Sequence, residues 1–230
     1  MDLNADLGES FGRWTLGDDP GLMAHISSAN VAAGFHGGDP HVLHRTVALA
    51  VEHGVGIGAH AGLPDLVGFG RRRLAVSPEE LYDLVLYQAG AVRAFAEVAG
   101  AELRHVKPHG AMYSMVVDDE ELAAALCAAV ADLGVALLMP PQLAEAAAGA
   151  RIRFVPEGYV DLDYDAAGKL ILERVKQPRD SGETAERALR FARDGQVESI
   201  CIHGDGPNAV ELAAAVRAAL ERAGVHVSPL

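Results

Sequence analysis

Lys107 and His109 stand two residues apart in the stretch RHVKPHGAMY, at the end of an apolar, strand-like run. A strand repeats every two residues, so these two side chains and His105 share one face. A lysine placed there stabilises developing negative charge, and an imidazole moves a proton or contacts a substrate near neutral pH. Comparable groups close other apolar runs: Asn4 and Asp6, His36 and Asp39, His60, Glu157 and Asp161, and His203 and Asp205. Ionised groups are costly to bury unless they are paired, hydrated or engaged with a ligand. Their convergence points to a site more strongly than any single member does. Each also has a structural alternative. His36 or His203 could be a hydrogen-bonded imidazole beside a tight turn, Asp39 a helix cap, and Lys107 the ion-pair partner of Asp6 or Asp2.

Other groups widen the chemistry. GFGRRR at 68–73 offers Arg71 and Arg72 to a carboxylate or phosphate, or forms a solvated basic turn. GFHGGDPH and CIHGDGPN each run from a strand through His-Gly and a short turn into a helix, presenting backbone N–H groups that suit an anion. Neither a P-loop nor a strand-borne GxGxxG occurs, which leaves a nucleotide site without a motif. GxSxG is absent and no covalent nucleophile stands out. Asp6, His36, His60 and His109 are acceptable ligands for zinc or a similar ion, yet no HExxH or HxxxH pair sets them at ligand spacing. A divalent metal stays open on ligand chemistry alone.

The elements that must position these residues alternate from end to end. Strands are predicted near 2–7, 26–34, 55–61, 103–108, 135–140, 152–160 and 199–204, with an eighth near 225–228. Helices are predicted over 40–53, 77–99, 118–133, 141–149, 181–194 and 208–223. Ser77, Pro78 and Glu80 form a capping signature, Asp39 precedes Pro40, and Gly54, Gly100, Gly134 and Gly224 mark helix ends. Leu3, Ala5 and Leu7 alternate with Asp2, Asn4 and Asp6, and Ile200 and Ile202 with Cys201 and His203. Small and ionisable groups on one face and aliphatic groups on the other fit a β/α barrel of seven or eight parallel strands, TIM-like, with its site at the strands' carboxyl ends. An open doubly wound sheet is the alternative. One domain over 1–230 suffices, and the long irregular stretches 8–19, 62–76 and 161–180 are where function is expected.

Composition narrows the partners. With 19 Lys+Arg against 32 Asp+Glu the net charge is −13, which disfavours nucleic acid and anionic membranes. No apolar run is long enough to span a bilayer, and MDLNADLGES lacks the features of a signal peptide, so a cytoplasmic protein is expected. Cys127 and Cys201 lack CxxC or zinc-type spacing and read as core thiols.

Five ordered stretches, DLNADLGE, SSANVAAGFHGGDP, GIGAHAGLPDLVGFGRR, HVKPHGAMY and CIHGDGPNAV, resemble the LamB/YcsF family, the A subunits of bacterial ATP-dependent 5-oxoprolinase. The resemblance implies a barrel akin to polysaccharide deacetylases. It implies opening of 5-oxoproline to L-glutamate with hydrolysis of ATP as co-substrate, and partner subunits B and C. Asn4, Asp6, His36, Asp39, His60, the run from Gly68 to Arg72, Lys107, His109, His203 and Asp205 stand at the family's motif positions. On that footing Lys107 would stabilise charge on the lactam oxygen or the transferred phosphoryl group, and Asp6 or His109 would activate water. Asn4, His36, His60, Arg71, Arg72, Glu157, Asp161, His203 and Asp205 would contact substrate. A homo-oligomer is left open. Departures from the family pattern fall within 157–174, where Leu162 replaces an arginine and Leu172-Glu173 replaces a proline-arginine pair. Two other readings stay open: a metal-dependent amidohydrolase or deacetylase-like barrel, and a non-catalytic subunit that binds small carboxylates.

Overall fold

The computed structural model describes residues 1–166, 168–171 and 176–230. Among them, seven parallel strands close into a barrel in sequence order: β1 (Asp2–Leu7), β2 (Ser28–Ala32), β3 (Gly56–Ala61), β4 (Leu103–Pro108), β5 (Ala136–Met139), β6 (Phe154–Tyr159) and β7 (Ser199–His203). Closure is made by β1 against β7, with Asn4 opposite Cys201 and Asp6 opposite His203. The closed ring excludes the open sheet. The predicted eighth strand at 225–228 does not form; Ser228 instead donates its N–H to the Met1 carbonyl at the amino-terminal end of the barrel.

Helices α1 (Asp19–Met23), α2 (Pro40–His53), α3 (Pro78–Val98), α4 (Gly110–Asp118), α5 (Glu120–Leu133), α6 (Ala144–Ala150), α7 (Ser181–Asp194) and α8 (Ala209–Arg222) surround the strands. Their starts follow the expected chemistry. Asp39 accepts from the N–H groups of His41 and Val42, and Ser77 and Glu80 form a reciprocal capping box. Two helices, α1 and α4, lie outside the predicted set. The predicted helix at 118–133 begins instead at Glu120, because Asp119 caps it and separates it from α4. No helix among the described residues is long and apolar enough to cross a membrane.

Outward faces of the strands carry the core. Leu3, Leu7, Val31, Ile57, Val106, Leu137 and Ile200 are buried against Val47, Leu81, Val85, Leu126, Val130, Leu212 and Val216 of the helices. Each such side chain contributes roughly 1.5–3 kcal/mol by leaving water. The inward face is largely polar instead, apart from a small cluster of Ala136, Leu138 and Val155 on β5 and β6. Asp2 accepts from Ser27, Ser28 and Ser199 at the barrel floor. Above it, Asn4 donates to Glu157 at 2.8 Å and to Ser199 at 2.7 Å, while Asn30 donates to Asn4 at 2.6 Å. His105 completes this layer by donating from Nε2 to Asn30 Oδ1 at 2.7 Å. Its ring crosses to the neighbouring strand over Gly58, where a Cβ would lie 2.0 Å from Nε2. Only glycine leaves that space.

Candidate functional site

The uppermost inward layer opens into a pocket at the carboxyl ends of the strands. Asp6, His60, Arg71, Lys107, His109 and His203 line it with Tyr113, Tyr159 and Lys176, and Leu162 and Leu170 form an apolar wall. The enclosed part of this pocket is tight, about 20 Å³, little more than one water requires, and it widens toward solvent at its mouth. Pro108, between Lys107 and His109, fixes the backbone between the two. The register places His60 beside Lys107 and Asp6 beside His203, so four strand ends present ionisable groups to one space.

Lys107 is the centre of this layer. Its side chain is buried, with Nζ 2.9 Å from Asp6 Oδ1, 3.2 Å from Glu157 Oε1 and 2.8 Å from Cys201 Sγ. Burial opposes both charges, yet each partner overrides it. His60 and Lys107 hold the Asp6 carboxyl well below its ordinary range, and Asp6 holds the Lys107 ammonium well above its own. Both stay charged at neutral pH. Burial pushes the Cys201 thiol up, so it remains protonated beside the lysine.

A second unit faces the pocket from β7. His203 Nδ1 lies 3.0 and 3.1 Å from the two Asp161 oxygens, and Asp161 also accepts the His203 N–H at 2.8 Å. Against its burial, His203 holds the Asp161 carboxyl below its usual range. An ionised carboxylate can only accept, so His203 keeps its proton on Nδ1 and turns Nε2 inward, 3.7 Å from Asp6 Oδ2. At the rim, Asp205 bridges Arg71, at 2.7 Å, and Lys176. Two cations and one carboxylate leave this rim net positive.

Behind the pocket, three imidazoles pack together. His36 stacks on His109 with ring centroids 3.8 Å apart, and both rings stand edge-on to His60. Burial, reinforced by the neighbouring imidazoles, pushes His36 and His109 well below the ordinary histidine value, so both are neutral. Glu9 joins them, and burial with nearby Asp205 and Asp6 pushes its carboxyl up. The loop after β3 covers this group. Phe69 has φ 53°, unusual for a bulky residue, and its carbonyl accepts from His109 Nε2 at 2.8 Å. Gly70 follows at φ 62°, and a Cβ there would lie 2.7 Å from His36 and 2.8 Å from the His109 ring.

The structure brings Asp6, His60, Arg71, Lys107, His109 and His203 together as lining residues. Asp161 stands behind His203, and Asp205 pairs with the rim cations. Asn4 and Glu157, expected to contact substrate, lie a layer deeper, and Asn4 Oδ1 sits 3.3 Å from Lys107 Nζ. They share the inward face but not its depth. Arg72 departs from the expectation too: it pairs with Asp65 on the far side of the turn, and its side chain is 58% exposed. Asp39 serves as the α2 cap, and His36 is sealed behind His109. Of the altered 157–174 segment, Leu162 lies in the pocket wall and Tyr164 accepts the Tyr159 N–H at 2.7 Å, while Leu172 and Glu173 lie outside the described residues. Glu9, Tyr159 and Lys176 join the site without a clear sequence signal. Only the motif DLGE and the length of the 161–180 loop hint at them.

A closed parallel barrel with a charged pocket over its strand ends defines a TIM-like β/α-barrel protein. The chain belongs to the LamB/YcsF family, whose model matches residues 1–230. It is 49% identical, over an alignment 245 positions long with gaps, to the 5-oxoprolinase A subunit of Streptomyces coelicolor, covering 99% of this chain and 98% of that one. A crystal structure of a lactam utilization protein from Thermus thermophilus superposes with a TM-score of 0.92 at 45% identity, covering 100% of this chain and 99% of the other. A family 4 carbohydrate esterase from Streptomyces lividans shares the fold alone, with a TM-score of 0.54 at 11% identity over 99% of this chain and 90% of that one.

Proposed function

We propose that the chain is the A subunit of an ATP-dependent 5-oxoprolinase, and that the strand-end pocket receives the lactam for opening to L-glutamate. The observation that carries this reading is the pairing of a buried ammonium, Lys107, with a net positive rim across one small pocket. 5-Oxoproline carries two matching features, a carbonyl oxygen that gains negative charge on reaction and a carboxylate. Whole-length likeness to 5-oxoprolinase A subunits supports the same reading.

The lactam is an unactivated amide. Phosphoryl transfer from ATP to its oxygen gives ADP and an activated ring carbon. Water adds to that carbon, and the carbon–nitrogen bond breaks as nitrogen takes a proton. A second water then releases phosphate and leaves glutamate. Lys107 stabilises charge on the lactam oxygen. Arg71 and Lys176 hold the carboxylate, with Asp205 fixing both. Asp6 and His109 are the bases expected from sequence to activate water. Asp6 is held ionised by Lys107 and is a weakened base, and His109 is committed to Phe69. His203, oriented by Asp161 through Nδ1, is the better-placed base because its Nε2 faces the pocket. Subunits B and C complete the enzyme in this reading.

The test mixes the chain with B and C subunits, 5-oxoproline and ATP, and follows glutamate. Release that requires the chain and is strongly reduced by His203→Asn supports the assignment. Full turnover by B and C alone removes it. Tight 5-oxoproline binding without turnover in the complete mixture would favour a carboxylate-binding subunit instead.

A further inference from the structure

His60 and His109 present a conflict that their backbone partners create. His60 Nδ1 lies 2.9 Å from the Lys107 carbonyl, and His109 Nε2 lies 2.8 Å from the Phe69 carbonyl. A carbonyl only accepts, so each ring carries its proton on that nitrogen. The remaining nitrogens, His60 Nε2 and His109 Nδ1, lie 3.0 Å apart with Asp6 Oδ2 3.3 Å from His60 Nε2, so in neutral rings two lone pairs meet beside a carboxylate. Two acceptors at that distance need something positive between or beside them.

The surroundings repeat the demand. Glu9 Oε1 lies 3.6 Å from His109 Nδ1 and 3.5 Å from His36 Nε2. It is buried without a hydrogen-bond partner, as are both ring nitrogens of His36. A proton shared between His60 and His109 would satisfy one pair of nitrogens and leave Glu9 and His36 unmet. We propose that Glu9, His36, His60 and His109 form a binding site for a divalent transition ion of the zinc type.

Four ligand atoms, one from each residue, lie within 4.8 Å of one another. A tetrahedral ion with ligands at roughly 2.0–2.1 Å spaces them roughly 3.3 Å apart, close to the 3.0, 3.5 and 3.6 Å found here, and the stacked His36 and His109 rings tilt apart on binding so that both lone pairs reach it. Three imidazoles and one carboxylate suit zinc, cobalt, nickel or iron(II) rather than magnesium or calcium, which take oxygen ligands. The carbonyl bonds of His60 and His109 are the outer partners that fix a ligating tautomer. All four residues are buried, and Asp6, weighed from sequence as the carboxylate ligand, is engaged instead by Lys107 and Asn30. His60 and His109 also line the pocket, so the ion borders it. The site stands apart from the oxoproline reading, since metal binding is measured on the chain alone and either can fail without the other.

The full chain, prepared without an affinity histidine tag and stripped by chelator, is titrated with Co²⁺. One equivalent is expected to bind, with a visible ligand-field band that Zn²⁺ abolishes. His36→Gln and Glu9→Gln should each weaken binding by at least the ~10–100-fold seen when a ligand's outer partner is lost. Cys201→Ser, in the neighbouring group of Asp6, Cys201 and His203, should leave it unchanged. X-ray absorption on the unmutated cobalt complex removes any dependence on the variants' folding: nitrogen and oxygen neighbours without sulfur support the site. Absence of stoichiometric binding, a sulfur neighbour, or binding that neither His36→Gln nor Glu9→Gln alters overturns it.

Discussion

Replacing Lys107 by methionine keeps most of the side-chain volume and removes the ammonium that lies 2.9 Å from Asp6 and 3.2 Å from Glu157. Lysine at this position is 1% exposed, so water cannot take over its role. Removing one partner of a buried pair costs about 3–5 kcal/mol, because the other charge is left without compensation. In a chain of 230 residues, at about 2–4 °C per kcal/mol, the melting temperature should fall by roughly 6–20 °C. The pH dependence carries the diagnostic sign. In the unmutated chain Asp6 is held well below its ordinary value, so it adds stability above its unfolded pKa that is lost as pH falls through the folded one. Lys107→Met removes much of that contribution. Its deficit should therefore be largest above roughly pH 5 and should shrink toward acid, where Asp6 protonates in both proteins. Glu157→Gln added to Lys107→Met should restore part of the loss, with a coupling of about 0.5–3 kcal/mol. Thermal melts of the four proteins across pH measure this. An unchanged melting temperature, or a deficit that grows toward acid, would refute the charge network described here.

Asp161→Asn should lower kcat by roughly 10²–10⁴-fold with a smaller change in KM, because an amide can donate to His203 Nδ1 and favour the wrong tautomer; steady-state glutamate release measures it. Since His203 holds the Asp161 carboxyl down, Asp161 adds stability above its unfolded pKa that is lost as pH falls through the folded one, so this variant should also lack part of the acid unfolding limb. Arg71→Ala should raise KM for 5-oxoproline by about 10–150-fold, the worth of one charge-assisted hydrogen bond of roughly 1.5–3 kcal/mol. Arg72→Ala is the control, since that guanidinium serves Asp65, and equal KM changes in the two variants would reject the rim assignment.

Period-two alternation makes the barrel legible, because only one face of each strand can meet the helices. Asp2, Asn4 and Asp6 against Leu3, Ala5 and Leu7 carry β1 at its observed bounds. The same rule misleads at 225–228, where Val225 and Val227 alternate as in a strand but a closed seven-stranded ring leaves no edge to join. Helix α4, GAMYSMVVD, is not legible because no side chain caps it and one residue separates it from α5. Periodicity also gives a face and not a depth. It groups Asn4 and Glu157 with Asp6 and Lys107, yet cannot say that the first pair lies beneath the pocket. Loop residues have no period at all, so Glu9 and Lys176 escape it and adjacent Arg71 and Arg72 cannot be told apart.

A polar barrel interior is not explained by stability. Each hydrogen bond of the Asp2, Asn4, Asn30, His105 and Glu157 layers nets only about 1 kcal/mol, and well-packed aliphatic groups would serve the barrel as well or better. The aliphatic contacts outside the strands already supply the core. What the interior layers do supply is fixed charge. Asn30 donates to Asp6 at 2.9 Å, Asn4 and Glu157 support Lys107 from below, and His105, pushed down to about 3, holds the layer together without adding a competing cation. Asp6 and Lys107 are therefore ionised and oriented before any ligand arrives. Little reorganisation is then needed when charge develops on a substrate oxygen, which is how a preorganised site lowers a barrier. The cost is borne by neighbouring His36 and Glu9, whose buried polar atoms are left without partners, and that deficit is the same one a bound cation would relieve.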